Sequence, residues 1–168
     1  MVTFRLGCAR TGPGRVVYGN SMAEKQAAGT RTVDLVLEST LESVDVAEET
    51  VLREAQELGF DEDDQHRIGM SVRECMVNAV VHGNCYNARK KVNLTVSRTP
   101  ERLSVTIADE GEGFDLTSLP DPLANENLLR HSGRGLLLIQ AFMDEFQIRA
   151  REPKGTEVKM VKYVGKSS

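Results

Sequence analysis

Apolar and polar residues alternate in some parts of this chain and recur at helical spacing in others. Strand patterns occur at residues 31–40, 91–97, 102–108, 145–149 and 156–163. Helical spacing predicts one helix at residues 44–58 and a longer one at residues 61–82. The turn that contains Pro100 joins two of the strands, so we expect an antiparallel hairpin there.

The helix predicted at residues 61–82 has two distinct faces. Four consecutive acidic residues, Asp61 to Asp64, supply an N-cap and a favourable charge at the positive end of the helix dipole. We expect its apolar face to pack against a core: Ile68, Val72, Cys75, Met76 and Ala79. The opposite face is polar and carries the candidates for function: Arg67, Ser71, Glu74 and Asn78.

Glu74 and Asn78 are four residues apart, so their side chains meet one turn apart on the polar face. A carboxylate can orient and deprotonate a hydroxyl group, and an amide oxygen can coordinate a hard cation such as Mg²⁺. The pair therefore indicates a catalytic site with a magnesium ligand. A solvated helix face carries the same two residue types, and the pair by itself does not separate the two interpretations.

A second candidate side chain comes from the parity of the strand predicted at residues 102–108. Asp109 shares one face with the three apolar residues of this alternation, so it points inward at the end of the strand. Gly111 and Gly113 follow it, and glycine lets the backbone pass close to a ligand. A carboxylate in this position can accept a hydrogen bond from a ligand. An aspartate that only stabilises a turn gives the same pattern.

Residues 116–131 show no regular periodicity, which is typical of a lid or a binding loop. They lead into Gly133-Arg134-Gly135-Leu136 and then into an apolar helix. The free N–H groups and the positive dipole end at such an N-terminus suit phosphate oxygens. The two glycines therefore indicate a phosphate-binding helix start.

Composition limits the classes of function that fit this chain of 168 residues. The length suits one domain with its own core, and no apolar run is long enough to cross a bilayer. A net charge of -4 argues against nucleic acid as the main partner, because phosphate binding favours a basic surface. Three cysteines without a secretory signal fit a reducing cytosol, so we expect a cytoplasmic protein that has no membrane partner.

His82 and Cys85 form an H-x-x-C pair that could supply half of a zinc site. The other candidate ligands are Cys8, His66 and His131, and none of them belongs to a partnering C-x-x-C or H-x-x-H pair. We therefore expect no zinc at this pair.

The ends of the chain differ in composition from its centre. Residues 1–30 are rich in Gly, Arg, Thr, Ala and Ser, and Gly12-Pro13-Gly14 interrupts any periodicity. We expect a flexible N-terminal arm at residues 1–30, one domain at residues 31–163 and a short tail at residues 164–168.

Four motifs follow one another in a distinctive order. They are E-x-x-x-N-A-x-x-H-G-N from Glu74, D-x-G-x-G-F from Asp109, S-G-R-G-L-x-L-I from Ser132, and Gly155-Thr156 at the last strand. In this order they resemble the GHKL, or Bergerat-fold, ATP-binding domain of gyrase-type topoisomerases, histidine kinases and the large heat-shock chaperone. Residues 126–135 and 140–145 most resemble the bacterial anti-sigma-factor serine/threonine kinases. The resemblance implies an α+β fold, a two-layer α/β sandwich with a mixed, mostly antiparallel sheet and helices on one face.

The resemblance also implies roles for individual residues. Glu74 would be the general base, and Asn78 would bind ATP and its Mg²⁺ ion. Asp109 would accept a hydrogen bond from the adenine amino group. The other implied ATP contacts are His82, then Gly111, Gly113 and Thr156 toward the adenine, Gly133, Arg134, Gly135 and Leu136 around the phosphates, and Arg130 of the lid at the γ-phosphate.

By this resemblance the protein is an ATP-dependent serine/threonine kinase with ATP and Mg²⁺ as cofactors. It would phosphorylate a serine of an anti-anti-sigma partner of the STAS type and sequester a sigma factor, and the family allows a homodimer. Two other functions stay open: a non-catalytic, ATP-gated module that sequesters a partner, and a fragment of a larger sensor or chaperone-type ATPase. Phosphate transfer to an acceptor protein would identify the kinase, and steady hydrolysis without an acceptor would identify the fragment.

Overall fold

The computed structural model of this chain describes residues 2–5, 21–27, 29–113 and 133–166. Its strands are β1 (Val2–Arg5), β2 (Ser21–Ala27), β3 (Thr30–Glu38), β4 (Lys91–Thr99), β5 (Arg102–Ala108), β6 (Glu145–Ala150) and β7 (Thr156–Tyr163). Its helices are α1 (Glu42–Glu57), α2 (Glu62–Val77), a π-helix that continues α2 (Asn78–Gly83), and α3 (Gly133–Phe142). Within these ranges, no helix is both long and apolar enough to span a membrane.

The seven described strands form one sheet in the order β1-β2-β3-β4-β5-β7-β6. Every pairing between these described strands is antiparallel, where the resemblance implied a mixed, mostly antiparallel sheet. Apolar side chains of neighbouring strands stand opposite each other, as in the pairs Leu35–Leu94 and Val96–Val105. The helices pack against this apolar face, which confirms the predicted two-layer α+β sandwich.

Hydrophobic periodicity predicted the buried positions of the long helix and of the central strands. The apolar face predicted for residues 61–82 is buried in full, and the inward residues of β3 and β5 are at most 5% exposed. Ser71 was expected on the polar face but is also buried. Its hydroxyl group donates to the Arg67 carbonyl oxygen at 2.9 Å, so the polar group is satisfied within the helix.

Local signals placed most of the helix ends correctly. Asp61 is the N-cap of α2, and its side chain accepts a hydrogen bond from the Asp64 backbone N–H at 2.8 Å. Gly59 follows α1 with a φ of 80°, a left-handed conformation that glycine adopts without strain. The helix predicted at residues 61–82 changes type at Asn78, where the backbone continues as a π-helix to Gly83.

Residues 2–5 and 21–27 form strands, whereas we expected a flexible arm throughout residues 1–30. β2 pairs with β3 from Ser21 opposite Val36 to Ala27 opposite Thr30. The local sequence shows no clean alternation here, and the strand forms because the edge of β3 supplies backbone hydrogen-bond partners. The sheet therefore begins before residue 31, and the division into arm, domain and tail otherwise stays a prediction.

The buried face of α1 includes a carboxylate. Glu54 is 3% exposed, and its two oxygens lie 3.3 Å from Arg31 Nε and 2.5 Å from Arg98 Nε. Arg31 belongs to β3 and Arg98 to β4, so these contacts join α1 to two neighbouring strands. A carboxylate needs such partners in this environment, because the burial of an unpaired charge is strongly unfavourable.

We expect the Glu54→Ala substitution to lower the free energy of unfolding by about 1–3 kcal/mol, because two arginines lose their common partner. Both arginine side chains keep access to water, with 38% and 21% exposed, which limits the loss. Urea unfolding followed by circular dichroism measures this change. Glu49→Ala removes an exposed carboxylate from the same helix, and this control should change stability by less than about 0.5 kcal/mol. Equal stability of the two variants would contradict a structural role for Glu54.

Lys162 is fully buried, although lysine is rarely found in a protein interior. Its Nζ donates to the Phe142 carbonyl oxygen at 3.1 Å and lies 3.5 Å from Asp64 Oδ1. A cation is favourable at the C-terminal end of a helix, where carbonyl groups lack partners within the helix. Lys162 thereby holds the end of α3 against the start of α2 and fixes the position of α3 on the sandwich.

Candidate functional site

A cavity of about 290 Å³ lies between the helical layer and the sheet. One wall comes from α2 and the π-helix, and the facing wall comes from β5, β6 and β7. Five of its lining residues were indicated by the sequence motifs: Asn78, His82, Asp109, Leu136 and Thr156. Among the residues that the structure describes, the rest of the lining is apolar apart from one thiol: Cys75, Ala79, Ile107, Ile148 and Val158. A mainly apolar cavity with a few converging polar groups is the usual form of a small-molecule site.

Asp109 follows β5 directly and is 5% exposed, as its strand parity predicted. Its Oδ1 accepts hydrogen bonds from the Gly111 backbone N–H at 2.8 Å and from the Thr156 backbone N–H at 3.2 Å. Burial raises the pKa of Asp109 above its usual value of 3.8, although these two N–H donors and the charge of Arg151 act in the opposite direction. Both bonds end on Oδ1, so Oδ2 has capacity to accept a hydrogen bond from a ligand.

Backbone segments pack around Asp109 at distances that only glycine allows. A Cβ atom on Gly83 would lie 2.6 Å from the carboxyl carbon of Asp109, and one on Gly111 would collide with the Gly83 carbonyl oxygen. Gly155 has a φ of 112°, and a Cβ atom there would collide with the Asp109 carbonyl oxygen. A side chain at any of these three positions would push apart the π-helix, the loop after β5 and the start of β7.

The helical wall of the cavity is formed by Cys75, Asn78, Ala79 and His82. Spacings of three and four residues place them on one side, across the change from α-helix to π-helix at Asn78. π-Turns inside α-helices are frequent at functional sites. Burial raises the pKa of the Cys75 thiol, so this group is uncharged and belongs with the apolar lining. Asn78 and His82 therefore supply the polar groups of this wall.

Glu74 lies beside the cavity, in contact with α3. A Cβ atom on Gly135 would collide with Glu74 Oε1, so the carboxylate lies against the backbone of the first turn of α3. The first backbone N–H groups of a helix have no partner within it and carry the positive end of its dipole. The structure thus places a carboxylate and a helix N-terminus together, next to Asn78 and Leu136 of the cavity.

The glycines indicated by the sequence motifs lie around the cavity and Glu74. One predicted site residue, Arg130, is outside the described part of the chain. Gly111 packs on the end of the π-helix, and a Cβ atom on Gly113 would lie 3.2 Å from the Gly155 carbonyl oxygen. Gly133 and Arg134 are the first two residues of α3, and the Arg134 side chain is not among the described groups. The lid predicted at residues 116–131 also lies outside the described residues.

Sequence reasoning missed two residues that shape the site. Asn84 was read only as the end of the helix motif, but it is 1% exposed and accepts a hydrogen bond from the Glu110 backbone N–H. Arg151, in the turn between β6 and β7, donates to the Asp109 carbonyl oxygen at 2.9 Å. Asn84 could have been found from the sequence, because it is the last residue of the H-G-N motif. No local pattern marks Arg151.

The Asn78 amide fits a magnesium ion that is held mainly by a nucleotide. Among the residues that the structure describes, no group of three or more His, Cys, Asp or Glu side chains could form a metal site. Mg²⁺ in nucleotide sites commonly binds one or two protein oxygens, with phosphate oxygens and waters as its other ligands. A single amide oxygen in the cavity wall meets this requirement.

Comparison with known proteins points to the same part of the chain. The model of the family described as histidine kinase-like ATPase domain matches residues 37–162, a range that contains both Glu74 and Thr156. The anti-sigma F factors of Bacillus thuringiensis (strain Al Hakam) and Bacillus mycoides (strain KBAB4) are each 34% identical to this chain over 99 residues. The matched region covers 58% of this chain and 68% of each relative.

Proposed function

Since this chain belongs to the histidine kinase-like ATPase family and is similar to anti-sigma F factors, we propose that it binds Mg-ATP and phosphorylates a serine of a partner protein. The observation that carries this proposal is the cavity shared by Asn78, His82, Asp109 and Thr156. Three separate motifs supply these residues, and each motif had its own expected role in nucleotide binding. Their convergence on one cavity of about 290 Å³ supports a common ligand.

The adenine ring would occupy the end of the cavity at Asp109. A carboxylate oxygen there accepts a hydrogen bond from the exocyclic amino group, and Thr156 lies beside it. Apolar side chains on the sheet wall, such as Ile107 and Val158, cover the faces of the ring and exclude water. A hydrogen bond in this dry environment favours adenine over a base that has a carbonyl group at the same position.

The triphosphate would extend toward the N-terminus of α3. Backbone N–H groups at Gly133, Arg134 and Gly135 would bind phosphate oxygens, and Leu136 packs at the edge of the cavity. The Asn78 amide oxygen would hold the magnesium ion. A bound magnesium ion would neutralise part of the negative charge of the phosphates. From the family resemblance alone, Arg130 is proposed as a further contact of the γ-phosphate.

Glu74 would be the general base of the transfer. Its carboxylate lies against the first turn of α3, and therefore next to the proposed position of the terminal phosphate. There it can hold the acceptor serine hydroxyl and take its proton as the oxygen attacks the γ-phosphorus, while the bond from that phosphorus to the β,γ-bridging oxygen breaks and ADP leaves. Phosphoryl transfer depends mainly on position and charge neutralisation, so one base, one metal site and a set of backbone donors are sufficient.

The names of the relatives support a role in transcription control. Both are anti-sigma F factors, and we extend this to a proposal that the chain sequesters a sigma factor and phosphorylates an anti-anti-sigma partner. A homodimer, allowed by the family, belongs to the same proposal. Exposed carboxylates in the first turns of α1 and α2, Glu42 and Glu62, would face a partner of opposite charge.

Two measurements on the whole chain test the proposal. Calorimetric titration with Mg-ATP should give saturable binding at one site per chain, and wild-type protein without a binding signal would contradict the proposal as a whole. Incubation with radiolabelled ATP and an anti-anti-sigma domain should then give phosphoserine on that domain. Stoichiometric capture of a partner in the presence of ATP, without transfer, would replace the kinase by the ATP-gated binding module.

A further inference from the structure

Asn84 is a buried amide at the point where the helical layer meets the ends of three strands. It follows the π-helix directly and is 1% exposed. Its Nδ2 donates to Ser39 Oγ at 2.9 Å and to the Lys91 carbonyl oxygen at 3.0 Å. Its Oδ1 accepts a hydrogen bond from the Glu110 backbone N–H at 2.8 Å. Both amide donors and the amide oxygen are therefore in use.

The three partners of Asn84 belong to three different parts of the sheet. Ser39 follows β3, Lys91 begins β4 and Glu110 lies in the loop after β5. Ser39 is itself held, because its hydroxyl group donates to the Lys90 carbonyl oxygen at 2.7 Å. The bonds to Ser39 and Lys91 anchor Asn84 to the strand ends. The bond to Glu110 is different, since it reaches the loop that carries Asp109.

The neighbours of Asn84 and Glu110 in the sequence are in direct contact in the site. Gly83 precedes Asn84, and Asp109 precedes Glu110, and Gly83 lies so close to the Asp109 carboxyl group that a Cβ atom would be 2.6 Å from it. The hydrogen bond between Asn84 and Glu110 therefore joins the helix end and the loop of Asp109 directly beside this close contact. The same helix carries Asn78 and His82 on the opposite wall of the cavity.

From this geometry we infer that Asn84 is a positioning residue for the nucleotide site, which holds Asp109 at the correct distance from the helical wall to recognise the adenine amino group. The inference rests on the proposed function and deepens it. Asn84 has no place in the cavity lining, so it acts through Asp109 rather than by touching the ligand. Loss of the Glu110 bond should impair recognition of the base and leave the phosphate end intact.

Three probes separate these two ends of the site: Mg-ATP, Mg-ITP and magnesium tripolyphosphate. ITP has a carbonyl oxygen where ATP has the amino group, so it cannot donate to Asp109, and the ratio of the two dissociation constants reports adenine recognition. Tripolyphosphate reports the phosphate end alone. Wild-type protein should prefer ATP over ITP by about tenfold or more, the size expected for a hydrogen bond to a charged group.

The Asn84→Ala variant loses all three hydrogen bonds, and its ratio of ITP to ATP dissociation constants should fall to about one. The Asn84→Asp variant keeps an oxygen that accepts from Glu110 and loses both donors, so it should retain most of the wild-type ratio despite lower stability. Tripolyphosphate affinity should stay within about twofold of wild type in both variants. Calorimetry gives the three constants, and chemical unfolding gives the stability of each protein.

The Glu54→Ala protein is the matched control, because it loses a buried polar group that is not among the residues lining the cavity. It should be destabilised and keep the wild-type ratio. An Asn84→Ala ratio equal to wild type, or an Asn84→Asp ratio near one, would overturn the inference; if the alanine variant does not fold, the aspartate variant decides. Wild-type protein that fails to bind Mg-ATP, or that does not prefer it to Mg-ITP, would instead contradict the proposed function.

Discussion

The Glu74→Ala protein should transfer phosphate to its partner at least about 100-fold more slowly than wild type, which is the lower end of the contribution of a general base. Its affinity for Mg-ATP should stay within about threefold of wild type, because Glu74 lies beside the cavity rather than among its lining residues. The acceptor hydroxyl would lose the group that orients it and removes its proton. Single-turnover assays with radiolabelled ATP and saturating partner measure the rate of this step directly.

Two further variants make the Glu74 experiment specific. Glu74→Gln keeps the size and polarity of the side chain against Gly135 and removes only its basicity, so it should be as inactive as the alanine variant. Glu49→Ala removes an exposed carboxylate from α1 and should transfer phosphate at the wild-type rate. Undiminished transfer by Glu74→Gln would show that another group takes the proton.

The Asp109→Ala protein should bind Mg-ATP at least about tenfold more weakly than wild type, since a hydrogen bond to a charged group contributes about 1.5–3 kcal/mol. The substitution removes the proposed acceptor of the adenine amino group. It also leaves the backbone N–H groups of Gly111 and Thr156 without the carboxylate oxygen that they share. Both losses weaken the binding of Mg-ATP. The first removes a hydrogen bond to adenine, and the second releases the loop that shapes this end of the cavity.

Glu112→Ala is the matched control for the Asp109 variant. Glu112 lies in the same loop, but its side chain is exposed and pairs with Lys154. Its removal should leave the affinity for Mg-ATP within about twofold of wild type. Calorimetry on the three proteins at one pH gives the comparison. If both substitutions weakened Mg-ATP binding equally, any change in this loop would impair binding. That result would contradict the proposed hydrogen bond from adenine to Asp109.

The pH dependence of binding gives an independent test of the same carboxylate. Burial raises the pKa of Asp109 above 3.8 in the folded protein, so its proton is taken up at a higher pH than in the unfolded chain. The neutral form stabilises the fold below 3.8, and this contribution is lost as the pH rises through the folded pKa. The affinity for ATP changes with pH in the opposite direction, since the ionised carboxylate is the better hydrogen-bond acceptor. Binding should therefore weaken on acidification, and Asp109→Asn should lose that component of the pH profile.

Strand parity and helical spacing predicted the parts of this site that depend on local pattern. Asp109 was expected to point inward because three apolar residues precede it on the same face of β5, and it is buried. Asn78 and His82 share one side of a helix because they are four residues apart, and both line the cavity. A side chain's direction follows from the backbone period of its own element, so a single segment is enough to predict it.

Other features could not be read from any one segment. The burial of Glu54 depends on Arg31 and Arg98, which approach it from two strands that the sequence does not place beside α1. β2 has no clean alternation and depends on the edge of β3 for its hydrogen bonds. The π-helix at Asn78 replaces an expected continuation of the α-helix. In each case a contact between elements overrides or supplements the local preference.

The sequence by itself determined which side chains are apolar, at which spacing, and hence the central strands, the helices and the order of the four motifs. Only the tertiary structure decided that these motifs share one cavity and that Asn84 joins the helix end to the loop of Asp109. The physical reason is that these contacts join residues that are far apart in the sequence. Asn84 and Glu110 are 26 residues apart in the chain, and their hydrogen bond exists only after the helix and the sheet have packed together.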